Sequence, residues 1–187
     1  RSWFEPVRSP PGGESEFRGR ACLSESPESS VVYRMTMNFP YQSAIVAAPE
    51  TGVERVIYRP VIPLLVCGPE DGLLVAGLVD TGADNTLFPI ALAEALDIEL
   101  TRCAGPSPVA FGGGTLETYF GTVMLQISDG NDDCEWEGRV LFHAGRDESI
   151  ILGGQGFLEY FAVEFDGPAR AMRLENDSMP DFKNDSH

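Results

Sequence analysis

The sequence predicts a mainly β domain with one or two short helices. Its apolar runs are short and rich in Val, Leu and Ile, and segments rich in Gly, Pro and Asp separate them. This pattern is typical of strands that are joined by tight turns. Hydrophobic residues make up 43% of the 187 residues, which is enough for one domain with a sizeable core.

Composition divides the chain into one domain and two tails. Residues 1–37 are rich in Pro, Gly, Ser and Glu and lack hydrophobic periodicity, which predicts a disordered N-terminal tail. Residues 38–175 carry the strand pattern, and the polar residues 176–187 are expected to fray. The chain begins with Arg, and two Met residues stand where order is expected. We therefore expect that translation starts near them or that the front is a processed or added tail.

Turn residues bound each predicted element, and apolar runs on either side of a dense turn are expected to pair as hairpins. Pro63 lacks a backbone donor, so its strand is expected to lie partly at an edge. Good helix formers predict a short helix over residues 89–96, with Pro at its start. A second short helix is expected over residues 155–161. The predicted strands cover residues 43–47, 53–58, 61–67, 73–79, the two arms of a glycine-tipped hairpin within 109–127, 138–143, 150–154, 162–165 and 171–174.

The charge and the polar composition exclude several classes of partner. The formal net charge of −16 repels nucleic acid phosphates and anionic membranes, so neither is expected as a partner. No apolar run approaches the roughly 20 residues that span a bilayer. The start of the chain has no signal-peptide core, and we expect a cytoplasmic location. Four scattered cysteines without a C-x-x-C pair and two histidines predict no metal site.

One polar motif interrupts the apolar pattern. The run Leu73–Val79 leads directly into Asp80, Thr81 and Gly82. A carboxylate at the end of a buried strand is costly unless it is hydrogen-bonded or used in chemistry. Glycine lets the chain turn and lets another backbone approach. Asp, Thr and Gly are also common turn residues, so an ordinary strand-end turn is the simpler interpretation.

Two other segments resemble ligand-binding loops but do not fit them. The glycine triplet in residues 111–115 is not followed by a helix pattern or by G-K-[ST], which argues against a phosphate cradle. The acids in residues 128–138 have the alternate spacing of a calcium loop. Cys134 stands where that loop needs Gly, and Val140 stands where it needs Glu. A solvated hairpin loop is the better prediction for this segment.

Three features now fall in one order along the chain: Asp80-Thr81-Gly82-Ala83 after an apolar strand, a glycine-rich hairpin about thirty residues on, and Ile151-Leu152-Gly153. This order resembles the retropepsin-like aspartic proteases, the single-lobe family that includes the retroviral proteases. The resemblance covers residues 61–174. It implies a closed β-barrel-like acid protease fold.

The resemblance also implies roles for individual residues. Asp80 would be the catalytic carboxylate, Thr81 would brace two active-site loops across a dimer axis, and Gly82 would let the substrate backbone pass. The remaining positions would form the active-site loop with Ala83 and Asp84, a flap with Phe111, Gly112, Gly113, Gly114 and Thr115, and the strand under the site with Ile151, Leu152 and Gly153.

This chain departs from the family pattern at two places. Many retroviral members have arginine after the last glycine of the motif, and this chain has Gly154. Asp84 thereby lacks the partner that the arginine would supply, and its role stays open. The terminal segments also differ from the short strands that interleave in retroviral dimers, which leaves the dimer interface open.

Peptide hydrolysis by this route requires two carboxylates that share one proton, and the sequence contains no second D-[TS]-G. The second carboxylate is therefore expected to be Asp80 of another copy in a C2 homodimer, with no cofactor or metal. The predicted activity is that of an aspartic endopeptidase acting on an extended peptide or protein substrate. The alternatives are a catalytically silent peptide-binding or dimerisation module on the same fold, and a plain β-barrel whose glycines are turn residues.

Overall fold

The computed structural model describes residues 35–104, 117–145 and 149–176. Twelve strands dominate this part of the chain, together with one short α-helix and one 3₁₀ turn. In order they are β1 (Met35–Pro40), β2 (Gln42–Ala47), β3 (Glu54–Arg59), β4 (Val61–Cys67), β5 (Gly72–Val79), β6 (Leu87–Pro89), α1 (Ile90–Ala95), β7 (Thr101–Arg102), β8 (Thr118–Ser128), β9 (Asp133–His143), β10 (Ile150–Leu152), the 3₁₀ turn (Leu158–Tyr160), β11 (Ala162–Asp166) and β12 (Ala171–Asn176).

Six strands close into a barrel. They pair in the order β4-β5-β10-β6-β9-β8, and β8 pairs back to β4, while β7 adds to the outer side of β8. The pairs β5–β10 and β6–β9 are parallel, and the other pairs of the ring are antiparallel. The predicted mainly β, closed-barrel fold with few helices is therefore confirmed.

Two smaller sheets accompany the barrel. In the first, β1, β12 and β11 pair in that order. In the second, β2 and β3 form a hairpin of two strands. Buried side chains of the three-stranded sheet, such as Met37 and Leu174, belong to the same apolar cluster as the barrel interior. The three-stranded sheet and the barrel therefore share one core.

Alternation of side chains explains how the long strands build that core. Along β9, Cys134, Trp136, Val140 and Phe142 are buried, while the intervening acids face outward. β8 shows the same period on the opposing strand of the hairpin. The helix buries Leu92 and packs beside β6 and β9.

Most predicted elements are present, with shifted ends. The hairpins predicted around residues 68–72 and 166–168 are formed by β4–β5 and β11–β12. Pro63 lies at an edge as predicted, because β8 pairs with β4 only at residues 65–67. The short helix after Pro89 is also present, with Pro89 as its N-cap.

Three predictions need correction or addition. The segment 128–138 was expected to be a loop, but β9 begins at Asp133, so only residues 129–132 make the turn. The helix expected over 155–161 is a 3₁₀ turn of three residues. Strand β1 was not predicted, because only Met37 and Phe39 mark its buried side, and the short strands β6 and β7 were not predicted either.

Within the described residues, no helix is long and apolar enough to span a membrane. Residues 35–37 and residue 176 were assigned to the tails, but they belong to the paired strands β1 and β12. Residues 1–34 and 177–187 lie outside the described residues, so the rest of each tail stays a prediction.

Candidate active site

Asp80 begins the loop that follows barrel strand β5. Its amide donates a hydrogen bond to the Leu152 carbonyl at 3.0 Å, and its carbonyl accepts one from the Ala83 amide at 3.2 Å. Its carboxylate Oδ1 accepts a hydrogen bond from the Gly82 amide at 2.9 Å. The backbone on both sides of Asp80 is thus fixed, and the half-buried carboxylate has a defined direction.

Some residues of this loop are exposed to solvent, and others are buried against the barrel. Thr81, Gly82 and Asp84 are exposed, whereas Thr86 is fully buried. An ionised carboxylate accepts several hydrogen bonds, so Asp80 can receive more than the one donated by Gly82. The exposed side of the loop is therefore the side from which a water, a peptide or a second carboxylate can reach Asp80.

Residues 153–155 lie directly against this loop. The Gly154 amide donates to the Ala83 carbonyl, and the Gln155 amide donates to the Asp84 carbonyl, both at 2.8 Å. In return, the Thr86 amide donates to the Gln155 carbonyl at 2.8 Å. Together with the parallel pairing of β10 and β5, these bonds make the floor of the site, which we define as residues 80–86 and 150–155.

The two glycines of the floor are required by close backbone contacts. A Cβ atom at Gly153 would lie 2.4 Å from the Asn85 carbonyl oxygen. One at Gly154 would lie 2.7 Å from the Asp84 carbonyl oxygen. The departure from the family pattern thus has a physical reason, because this backbone leaves no room for a side chain at 154.

Asp84 occupies the exposed end of the loop. Among the described residues, the ion pairs join Arg102 to Glu117 and Arg173 to Glu164 and Glu175, so none of them involves Asp84. Asp84 is exposed to solvent.

A second layer of residues holds the floor in place through hydrogen bonds, and it was not predicted from the sequence. Thr86 Oγ1 accepts the Gly153 amide at 3.2 Å. Trp136 Nε1 donates to the Gly156 carbonyl at 3.0 Å, and the Gly156 amide donates to Glu159 Oε1 at 2.6 Å. Gly156 has a φ of +89°, a left-handed conformation that favours glycine. The only sequence signal for this layer was the run of glycines after β10.

The proposed flap residues Phe111, Gly112, Gly113, Gly114 and Thr115 lie outside the described residues. The strands on either side are described. Thr101 pairs with Phe120 and Arg102 with Tyr119 in antiparallel register. The Cys103 amide donates to the Thr118 carbonyl at 3.2 Å, and Arg102 and Glu117 form an ion pair at 2.7 Å. The chain thus enters and leaves residues 105–116 side by side, as the base of a hairpin does.

Among the described residues, no metal cluster marks the Asp80 loop, and the groove that the structure shows lies elsewhere. In the described part of the chain, no three His, Cys, Asp or Glu side chains come together in a metal-binding group. A groove of about 600 Å³ lies between the end of β4, residues 97–101 and β8, and its lining includes no residue of the floor. The hydrogen bonds of Asp80, rather than this groove, therefore distinguish the candidate site.

Comparison with known proteins gives matches of structure only. No protein-family model matches the chain, and no curated protein does so. One solved structure is EIAV protease complexed with the inhibitor HBY-793, at 23% identity and a TM-score of 0.38, with 51% of this chain and 81% of that chain covered. Another is a retropepsin-like aspartic protease from Rickettsia conorii, at 15% identity and a TM-score of 0.41, with 77% of this chain and 94% of that chain covered.

Both likenesses concern the fold alone. The closed barrel of six strands agrees with the barrel that the resemblance in the sequence implied.

Proposed function

We propose that this protein is an aspartic endopeptidase, in which a water is activated between the Asp80 carboxylates of two copies of the chain. The observation that carries the proposal is the setting of Asp80. It lies at the end of a barrel strand, the Gly82 amide holds its carboxylate, and the adjoining residues are exposed. The carboxylate is thus fixed in place yet open to a partner.

In this mechanism one carboxylate acts as the general base and the other as the general acid. At a separation of about 3 Å, two like charges cannot both ionise, so the pair holds one proton. The ionised carboxylate takes a proton from water, and the oxygen of that water attacks the scissile carbonyl carbon. The protonated carboxylate donates a hydrogen bond to the carbonyl oxygen, on which negative charge develops. Breakdown of the tetrahedral intermediate returns a proton to the leaving amine.

The need for a second copy follows from the sequence and from the loop. Asp80 belongs to the single D-[TS]-G motif of the chain. A two-fold axis beside the exposed face of the loop would place Thr81 and Asp80 of both copies together, as an isologous interface requires.

The substrate would be an extended peptide that is held by strand-type hydrogen bonds. The floor supplies Gly82 as a place where a peptide backbone can pass closely, and residues 111–115 would close over it as the flap. Asp84, the exposed acid of the loop, is a further candidate for contact with the substrate or with the partner copy.

The first test is substitution of Asp80→Asn, which keeps the size of the side chain and removes the acid. We expect peptide cleavage to fall by at least about 100-fold, because general acid–base catalysis is lost. Circular dichroism and the unfolding midpoint should be unchanged. The matched control is Asp71→Asn, an exposed acid in the turn between β4 and β5, which should cleave like the wild type.

The pH profile and inhibition provide further readouts. Wild-type cleavage should be greatest at acidic to mildly acidic pH, where the pair keeps its single proton, and statine-type transition-state mimics should inhibit it. An Asp80→Asn protein that cleaves at the wild-type rate would contradict the mechanism. A wild-type chain that dimerises and binds peptides but cleaves none would favour the silent binding module.

A further inference from the structure

The hairpin of β2 and β3 is an incomplete sheet. Its two strands pair with each other over residues 42–47 and 54–59, and among the described residues neither strand pairs with any other. An isolated two-stranded hairpin is marginally stable in water and needs further packing or further strands. Its outer edges also leave backbone donors and acceptors unpaired by the sheet.

One face of this hairpin is apolar and exposed. Ile45 is 68% exposed, Val56 is 56% exposed and Tyr58 is 41% exposed, with the Arg170 guanidinium 3.8 Å from the centre of the Tyr58 ring. Ile45 lies directly opposite Val56 in the register, and Tyr58 points to the same face because side chains alternate along a strand. With Val53 at the tip, the hairpin holds four of the seven large exposed apolar side chains of the described residues. Such concentration marks a contact surface.

The base of the hairpin lies beside Asp80. Pro60 directly follows β3, and its carbonyl accepts the Val79 amide at 2.9 Å. Val79 is the residue before Asp80. Gln42 pairs with Arg59 at the same end of the hairpin. Two copies that bring their Asp80 loops together must therefore also bring their hairpin bases close to the contact.

We propose that the face formed by Ile45, Val56 and Tyr58, which we term the hairpin face, is the surface on which a second copy of this chain docks. The inference rests on the proposed function, because that function leaves the site of one copy incomplete. A two-fold interface is self-complementary, so each copy presents the same apolar face to the other. Burial of these side chains supplies the hydrophobic free energy that the isolated hairpin lacks.

The test is the double substitution Ile45→Lys and Val56→Lys, followed by sedimentation and by activity measured over a range of protein concentrations. The dimer dissociation constant should rise by about 100-fold or more, because a two-fold interface loses both side chains twice. Activity per molecule should fall at low protein concentration and recover at high concentration. The control is Leu74→Lys, which is 63% exposed at the other end of β5 and should dimerise like the wild type.

If the lysine variant does not fold, the double substitution Ile45→Thr and Val56→Thr provides a second test, because threonine keeps the β-branched shape. It should weaken the dimer in the same direction by a smaller factor. A folded double variant that dimerises like the wild type at every concentration would overturn the hairpin face and leave the proposed function standing.

Failure of the proposed function gives a different result. In that case the lysine variant would still dissociate, but Asp80→Asn would cleave like the wild type or the wild type would not cleave.

Discussion

The floor of the site and the β2–β3 hairpin lie next to each other and are held in opposite ways. In the floor, backbone hydrogen bonds join segments that are about seventy residues apart, such as Asp80 to Leu152 and Gly154 to Ala83. Among the described residues, the two strands of the hairpin pair only with each other. Its apolar face is largely exposed, apart from the Arg170 guanidinium 3.8 Å from the centre of the Tyr58 ring. One chain thus completes the floor and does not complete the hairpin.

This difference suggests a division of roles: one copy orients its own carboxylate, and association of two copies would complete the proposed acid pair. The floor fixes the direction of one carboxylate without help from any other molecule. The proposed mechanism requires a second carboxylate, and the adjoining hairpin is the surface proposed for the copy that would supply it. Substitutions in the floor should therefore act through the stability of one chain, whereas those in the hairpin should act through association.

The largest effect on the floor is expected from Gly153→Ala. The added methyl group would lie 2.4 Å from the Asn85 carbonyl oxygen, so the backbone must move. Overpacking of this kind costs about 1–3 kcal/mol or more, and the displaced loop should also lose cleavage activity. Denaturant unfolding measures the first effect and peptide hydrolysis the second. Gly167→Ala, at a position where a Cβ atom meets nothing within 4 Å, should change neither.

A somewhat smaller effect is expected from Thr86→Val. The substitution keeps the shape of a buried side chain and removes the oxygen that accepts the Gly153 amide. The amide is then buried without a partner, which costs about 1–3 kcal/mol of unfolding free energy. The exposed residue Thr122 provides the control, and Thr122→Val should change the unfolding free energy by less than about 0.5 kcal/mol. Equal effects of the two substitutions would mean that this bond does not hold the floor.

The smallest effect on stability is expected from Asp129, which accepts a hydrogen bond from β1, the strand that precedes the β2–β3 hairpin. Asp129 accepts the Asn38 amide of β1 at 2.9 Å and the amides of Asn131 and Asp132 at 2.9 and 3.0 Å. Burial acts to raise the pKa of Asp129, but these hydrogen bonds outweigh it and lower the pKa below its usual 3.8. The stabilisation is therefore present above about pH 4 and is lost as the pH falls towards the lowered pKa.

For Asp129→Asn we expect a loss of about 1 kcal/mol or less at neutral pH, because the carboxylate is partly open to solvent. The difference from the wild type should begin to shrink below about pH 4, where the unfolded-state carboxyl takes up a proton, and should disappear once the pH falls below the lowered folded-state pKa. Thermal unfolding at pH 7 and pH 3 measures it. The exposed neighbour Asp132 serves as control, and a pH-independent difference for Asp129→Asn would exclude the charge as the cause.

Much of the fold was predictable because turn residues separate apolar runs. Gly68-Pro69 and Gly167-Pro168 each mark a hairpin that the structure contains. The first half of β9 was missed because its outward acids resemble a loop. Its inward residues, Cys134 and Trp136, alternate with them and carried the strand period.

The site was predictable only in part. Asp80 stood out because a carboxylate follows a buried strand. The bond between Thr86 and Gly153 joins residues 67 positions apart and depends on closure of the barrel, so no local pattern predicts it. The exposure of Ile45 could not be predicted either, because apolar residues in a strand are normally buried.

The central claim is that each copy supplies half of the acid pair, and a mixing experiment tests it most directly. Wild-type and Asp80→Asn chains are combined at constant total concentration and left to exchange partners before cleavage is measured. A shared site predicts activity that follows the square of the wild-type fraction, or about one quarter at equal amounts, since mixed dimers are inactive. Activity that falls in direct proportion to the wild-type fraction would show that one chain works alone and would contradict the account.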